Sequence, residues 1–349
     1  MANGLSNSLP ERFWILINKE YFTGKKILVS GGGGFVGTNL TRRLASLGAN
    51  VRSTFHTKDL QQKIEGVRYI QSDLLNLNEC LEATSDIDFV FMCAANSSGA
   101  EVMEKTPLIH LTPNIVMNSQ MLAAAYENQV KKFCFISSNT VYPLTDFAVQ
   151  EDDVTGEFFE KYFIVGWMKR FSEIMCEMYS TKIKNPMDVL VVRPGNLYGP
   201  FDKFNKSESK VIAALIRRAI EKQNPFEVWG DGNDLKDFLY IEDFVDGMLE
   251  AFQVNQKFTV LNVASGLPIT IKKVLDCILE VTNHKKVEVF FDSTKPTMIP
   301  KRLIDISAIK SATEWNPRTD IHEGISKTVD WYVDFFKSKN PEGLLIDNL

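Results

Sequence analysis

The sequence has no long apolar run. No stretch reaches the roughly 18 consecutive apolar residues that a membrane-crossing helix needs, so no membrane span is expected. It has no long basic block. With 39 Lys and Arg against 44 Asp and Glu the net charge is −5, which argues against nucleic acid as the main partner. Cysteine is sparse: Cys80, Cys93, Cys134, Cys176 and Cys277 are scattered, odd in number and never at zinc-ligand spacing. Reduced thiols in a cytoplasmic protein, and no metal site, are therefore expected. The N-terminus lacks an early basic region and a cleavable apolar core. Internal repeats and low-complexity linkers are also missing. What remains is 349 residues with 44% hydrophobic content, enough for a sizeable core in one large or two ordinary domains. Residues 1–22 form an N-terminal extension in which Phe13-Trp14-Ile15-Leu16-Ile17 is expected to pack on the body as a cap, with an interaction arm as the alternative.

The most informative stretch is 25–44. Lys25-Lys26 lead into Ile27-Leu28-Val29, glycines fill positions 31 to 34, and another follows at Gly37. Leu40, Leu44 and Leu47 then repeat at helical spacing, with Arg42 and Arg43 on another face. The order reads as buried strand, tight turn, helix. Glycine is needed where a turn takes unusual φ values and where a side chain would block a phosphate. A helix start offers free N–H groups and the positive end of its dipole to that phosphate. Strand, turn and helix in this order favour a dinucleotide site over a flexible loop.

Val51 to Phe55 reads as the second strand. In dinucleotide-binding sheets that prefer NAD this strand ends in a carboxylate that binds the ribose hydroxyls. Here it ends Phe55-His56-Thr57-Lys58, which suits a 2′-phosphate and points to NADP, with NAD possible; a solvated loop that lacks an acid there is the alternative. Further strands are expected at Val67–Ile70, Phe89–Cys93, Phe133–Ile136 and Val189–Val192. Helices are expected from about Asn114 to Glu127, over 158–180, from Lys210 to Lys222, and at the C-terminus to near Phe336. Ala94 and Ala95, after the fourth strand, let the backbone pass close to a cofactor. The hydroxyls of Ser137, Ser138 and Thr140 follow the fifth strand, where doubly wound sheets place ligands.

The spacing Gly31-x-x-Gly34-x-x-Gly37, with Phe35-Val36 inside it, resembles the extended short-chain dehydrogenase/reductase family, which remodels nucleotide sugars. Similar matches follow at the Ser-rich strand end before Val141-Tyr142, at Arg193 to Pro200, at Val228 to Gly232, at Asp237 to Asp243, and at Asp292 to Pro296 with Arg302 to Asp305. The resemblance covers nearly the whole chain. From Asn196 to Arg218 and Trp229 to Asp243 it is most similar to GDP-fucose synthases, the 4-keto-6-deoxymannose epimerase/reductases. It implies a doubly wound parallel α/β Rossmann domain at 23–195 with a return segment at 237–265. A smaller, interleaved nucleotide-sugar domain would comprise 196–236 and 266–349, in a homodimer. It implies cofactor contacts from Gly31, Gly34, Phe35, Val36, Gly37, His56, Lys58, Asp73, Leu74, Ala94, Ala95, Lys169 and Pro194. In the family an acid at the Asp73 position bonds the adenine amine, while a helix N-cap is the other reading of that residue. A nucleoside-diphosphate sugar would be met by Asn196, Lys210, Val211, Arg218, Trp229, Lys236 and Arg302. For Arg218 a solvated helix arginine remains the alternative.

The implied reaction is hydride transfer at carbon 4 of the sugar. A tyrosine gives or takes the hydroxyl proton, a lysine four residues later lowers its pKa and holds the ribose, and a serine binds the same oxygen. Ser138 falls on the serine, Thr140 on a substrate-contacting position, and Lys169 on the lysine, with Glu173 on the later acid. The tyrosine position is Val165, which has no proton to give. Tyr162 is seven residues before Lys169, roughly 10 Å along a helix axis against about 6 Å for the usual pair, so a packed aromatic is the better reading of it. Thr140 and Lys210 also stand where GDP-fucose synthases carry the cysteine and histidine of epimerisation, and Lys236 replaces a family arginine. Fold and ligand class carry over, while the full epimerase/reductase reaction does not follow. The alternatives are an epimerase or 4,6-dehydratase with another acid/base, a cofactor-binding protein without turnover, or an altered enzyme.

Overall fold

A computed structural model describes residues 17–56, 60, 62–97, 106–206, 208–295 and 297–339. Phe13 to Leu16 and Lys58 lie outside the described residues. In chain order the first half contains α1 (Lys19–Phe22), β1 (Lys26–Ser30), α2 (Phe35–Ser46), β2 (Asn50–Phe55), β3 (Arg68–Gln71), α3 (Leu77–Thr84) and β4 (Phe89–Met92). It continues with α4 (Thr112–Glu127), β5 (Lys132–Ile136), α5 (Phe163–Glu177) and β6 (Asp188–Pro194). The second half contains β7 (Asn196–Tyr198), α6 (Val211–Ile220), β8 (Phe226–Trp229), β9 (Leu235–Tyr240), α7 (Ile241–Phe252) and β10 (Phe258–Val263). β11 (Pro268–Thr270), α8 (Ile271–Val281), β12 (Val289–Asp292), α9 (Ser307–Ala312) and α10 (Ile321–Lys339) complete the described chain.

Seven strands form one sheet in the order β10-β6-β5-β4-β1-β2-β3, every pairing parallel. The central strands are apolar throughout because both faces are covered. Ile27, Leu28 and Val29 are fully buried, as are Val90 and Phe91 in β4 and Val191 and Val192 in β6. The order reverses between β1 and β4, which places a crevice at their carboxyl ends. Two small sheets lie beyond it: β11-β9-β7, and the parallel pair β12-β8. Among the described residues no helix is long and apolar enough to cross a membrane.

Several boundaries differ from the sequence reading. The helix expected over 158–180 begins at Phe163, after a 3₁₀ turn at Glu160–Tyr162, and gives way to a wider turn at Met178–Lys182. Phe158 explains the late start: its ring packs on Trp167 with centroids 5.0 Å apart, so the chain before the helix folds back onto the helix instead of extending it. The C-terminal helix α10 passes Phe336 and continues to Lys339. Within the expected return segment 237–265, β10 joins the large sheet while β9 pairs with β7 and β11. Arg43, read as facing away from the leucine stripe of α2, is buried and bonded to Asp246 of α7 at 2.8 Å.

Candidate functional site

The glycine turn joins β1 to α2, and each glycine has its own reason. Gly31 has φ +69°, and a Cβ there would lie 2.7 Å from the Ala94 backbone, so β1 and the end of β4 meet at this point. A Cβ at Gly37 would lie 2.2 Å from the Gly31 carbonyl oxygen, so glycine here lets α2 sit directly on the turn. Gly34 differs. Its φ is −90°, which any residue adopts, and a Cβ would touch only the Gly31 oxygen at 3.2 Å. It is the N-cap of α2 and offers no side-chain cap, so the first N–H groups at Phe35, Val36 and Gly37 find no capping side chain. Among the described residues a Cβ at position 34 would meet only the Gly31 carbonyl, so glycine here leaves the start of α2 open to an anion. The residues present thus fit a dinucleotide diphosphate.

The remaining expected cofactor residues line the same edge. His56 is exposed just past β2. Asp73 accepts a hydrogen bond from the Leu75 N–H at 3.0 Å, and Leu74 is buried. The N-cap of α3 is Asn76, which accepts from Asn78, so the helix-cap reading of Asp73 gives way to a local turn. Ser30 ties the crevice together: its hydroxyl accepts from the N–H groups of Cys93 and Ala94 at 3.0 and 3.1 Å. Ala95 is exposed beyond them. Pro194 is buried, and its carbonyl accepts from the Asn139 side-chain amide at 2.9 Å. Asn39 of α2 donates to the Pro200 carbonyl at 3.0 Å, joining the cofactor helix to the segment after β7.

α5 brings the chemical groups to the end of β5. Lys169 donates to the Ile136 carbonyl at 2.8 Å, and its ammonium lies 5.0 Å from the Phe135 ring centroid. Burial pushes Lys169 down to about 8, opposed by Glu173 and Cys176, reinforced by the Lys210 charge, and opposed again by Cys93. Ser138 follows two residues after Ile136, and its hydroxyl accepts from the Thr140 N–H at 3.2 Å. The Thr140 hydroxyl is buried without a hydrogen-bond partner among the described residues. Val165 is half-buried on α5. Beside it, a Cβ at Gly166 would lie 2.8 Å from the Thr140 carbonyl and 2.5 Å from the Phe158 ring. Tyr162 is directed elsewhere. Burial pushes its phenol up to about 12, with the Ile299 backbone and the Arg302 charge working the other way.

A buried polar network holds α5 to the sheet. Glu173 accepts from Arg193 at 2.9 and 2.8 Å, from Arg170 at 3.1 Å, and from Ser137 at 2.5 Å. Arg193 also donates to the Tyr142 hydroxyl at 3.0 Å, which donates to Asn262 of β10 at 2.6 Å. The sequence reading marked Glu173 and the Arg193-Pro194-Gly195 turn separately. A buried arginine demands a carboxylate, and that rule could have paired them.

The residues expected to meet the sugar nucleotide do not all converge. Lys210 is exposed as the N-cap of α6, and Val211 follows it at the surface. The Lys210 charge acts on both Lys169 and Asp202, lowering the pKa of each. Arg218 donates to the Glu227 carbonyl at 2.7 Å, and Trp229 is half-buried at the end of β8. Asn196 directs its amide to the Asp237 carbonyl at 2.9 Å. Lys236 pairs with Asp234 at 3.2 Å and also bonds the Ile299 carbonyl. Arg302 is 1% exposed and donates to the carbonyls of Pro143 and Tyr142 at 2.8 and 3.1 Å, which commits it to bracing the Tyr142 segment.

Residues 27–264 match the NAD dependent epimerase/dehydratase family. The chain belongs to that family. It is similar to GDP-L-fucose synthase 1 of Arabidopsis thaliana, 29% identical over 88% of this chain and 93% of that protein. It is also similar to dTDP-4-dehydro-6-deoxy-D-allose reductase of a Streptomyces species, 26% identical over 90% of this chain and 98% of that protein. Among solved structures, UDP-glucose 4-epimerase from Thermotoga maritima with UDP-glucose superposes with a TM-score of 0.80 at 22% identity, covering 89% of this chain and 99% of that one. The last likeness concerns the fold, a parallel α/β sheet of the kind described above.

Proposed function

We propose that the protein transfers a hydride at carbon 4 of a nucleoside-diphosphate hexose, as a 4-keto sugar reductase or dehydrogenase, with NADP preferred over NAD. The observation that carries this reading is the open N-terminus of α2 at Gly34, at the carboxyl end of β1, together with Lys169 bonded to the carboxyl end of β5 at Ile136 in the same parallel sheet. A bound nicotinamide would supply or accept the hydride. Gly31 to Gly37 would hold its diphosphate, and Asp73, Ala94 and Ala95 would flank the rest. Lys169 would hold the nicotinamide ribose, and Ser138 the sugar oxygen. Lys210, Val211, Arg218 and Trp229 would approach the sugar nucleotide. The exposed His56 and the absence of an acid at the end of β2 support the 2′-phosphate. The likeness to a 4-keto sugar reductase and a GDP-L-fucose synthase supports the substrate class. Thr140 and Lys210, in place of an epimerisation pair, favour reduction without epimerisation.

Calorimetry with NADP, NAD and a panel of GDP-, UDP- and dTDP-linked sugars tests the reading. NADP should bind more tightly than NAD, and added salt should narrow the gap, because exposed charges are screened. Equal affinities, or tighter NAD, would remove the NADP assignment. A second reading follows from Val165: cofactor and sugar nucleotide bind, but nothing turns over. Product analysis after prolonged incubation separates the two. The unpaired cysteines, Cys80 to Cys277, support the cytoplasmic setting, and the homodimer is tested by the mass in solution.

A further inference from the structure

Val165 and Lys169 occupy positions i and i+4 of α5, on one face of the helix and about 6 Å apart along its axis. An ammonium has three donors, and the Ile136 carbonyl accounts for one hydrogen bond of Lys169. Two residues past Ser138 the Thr140 hydroxyl is buried with no partner among the described residues, a costly condition that a bound water would relieve. α5 cannot move closer to the end of β5. At Gly166 its backbone already meets the Thr140 carbonyl and the Phe158 ring so closely that no Cβ fits. A lysine with donors to spare thus lies one helical turn from an apolar residue without a proton, and the Thr140 segment packs on the same helix at Gly166.

We infer that Lys169 is itself the proton donor, acting through one water held by Thr140 above Val165. This rests on the reductase reading given above. In the reduction, bound reduced nicotinamide would supply the hydride for the new C–H bond at carbon 4, with the carbonyl π pair moving onto oxygen. The water gives that oxygen a proton and takes one from the Lys169 ammonium, leaving a neutral amine and oxidised nicotinamide. Solvent then reprotonates the amine. The groups facing Lys169 are Glu173 and Cys176 on its own helix, Cys93 after β4, and Lys210 at the start of α6. Their sum with burial leaves the ammonium at about 8, close to the pH at which a general acid is most effective.

Two measurements test this. The first needs no substrate: NMR titration of the cofactor-free protein with ¹³C/¹⁵N-labelled lysine, the Lys169 signal assigned with Lys169→Arg. A midpoint near 8 is expected, and a midpoint at the ordinary lysine value of about 10.4 overturns the inference. The second is single-turnover reduction of a 4-keto-6-deoxy nucleotide sugar from about pH 7 to about pH 10, where the rate should fall about tenfold per unit above the midpoint. Val165→Phe fills the water's place without a hydroxyl and should slow hydride transfer about 10²–10⁴-fold with cofactor affinity kept, while Val165→Tyr should raise the rate. A pH-independent rate, or Val165→Phe turning over as fast as the unaltered chain, overturns the inference while leaving the reductase reading intact. Absence of cofactor or sugar-nucleotide binding by calorimetry overturns the reductase reading, and the proton-donor inference with it.

Discussion

Glu173 and Arg193 meet face to face in the interior: Nε to Oε1 at 2.9 Å and Nη2 to Oε2 at 2.8 Å, with the two side chains 0% and 2% exposed. Burial alone would lower the arginine, and its bonds to Glu173 more than offset this and raise it. The pair joins α5, one turn past Lys169, to β6. Removing one partner of such a pair leaves a buried charge without compensation. Glu173→Gln is therefore expected to cost about 3–5 kcal/mol in urea unfolding. A cost below about 1 kcal/mol, the range of an exposed pair, would show that the site does not depend on it.

Two glycines of the turn should separate binding from folding. Gly37→Ala forces a Cβ to within 2.2 Å of the Gly31 carbonyl and is expected to destabilise the fold by about 1–3 kcal/mol. Gly34→Ala meets only a 3.2 Å contact at a permitted φ, so its melting temperature should hold while dinucleotide affinity falls at least about tenfold. Unchanged affinity in the folded Gly34→Ala protein would remove the phosphate from α2.

Tyr162→Phe should leave the rate and pH profile of hydride transfer unchanged, at a stability cost of about 1 kcal/mol. Its phenol lies between the Ile299 backbone and Arg302. A large loss of rate with an intact fold would restore Tyr162 as a candidate donor.

Glu250 on α7 is 7% exposed, and its carboxyl is raised to about 7 by burial, then by the Asp246 charge. A carboxyl raised on folding contributes stability below its unfolded value, and that contribution is lost as pH rises through the folded value. Glu250→Gln is therefore expected to match the unaltered protein near pH 4.5 and to exceed it in urea midpoint above pH 7. Equal midpoints at both pH values would mean that Glu250 is solvated.

Six of the seven strands of the large sheet were legible, the central ones as continuous apolar runs and the first turn by its glycines, both local signals, while β10 was expected only within a return segment. The strand-turn-helix geometry at Gly31 to Gly37 was legible for the same reason. Arg302 was not: Arg302 to Asp305 matches a family segment, but only the fold shows that its guanidinium braces the carbonyls of Pro143 and Tyr142, 159 and 160 positions away. Gly166 was equally silent, since a helical glycine announces neither the carbonyl it meets nor the ring beside it. The late start of α5 depends on Phe158 folding back, a tertiary contact that overrides helical periodicity.

Gly166 has one more consequence. Because backbone, and not the side chain at 165, sets the distance between α5 and the end of β5, position 165 is an exchangeable socket on a fixed frame. Chains that differ only there would keep the lysine and both hydroxyls where they are. If the proposed proton relay holds, the choice of proton carrier would vary by a single codon, without rebuilding the scaffold that presents it.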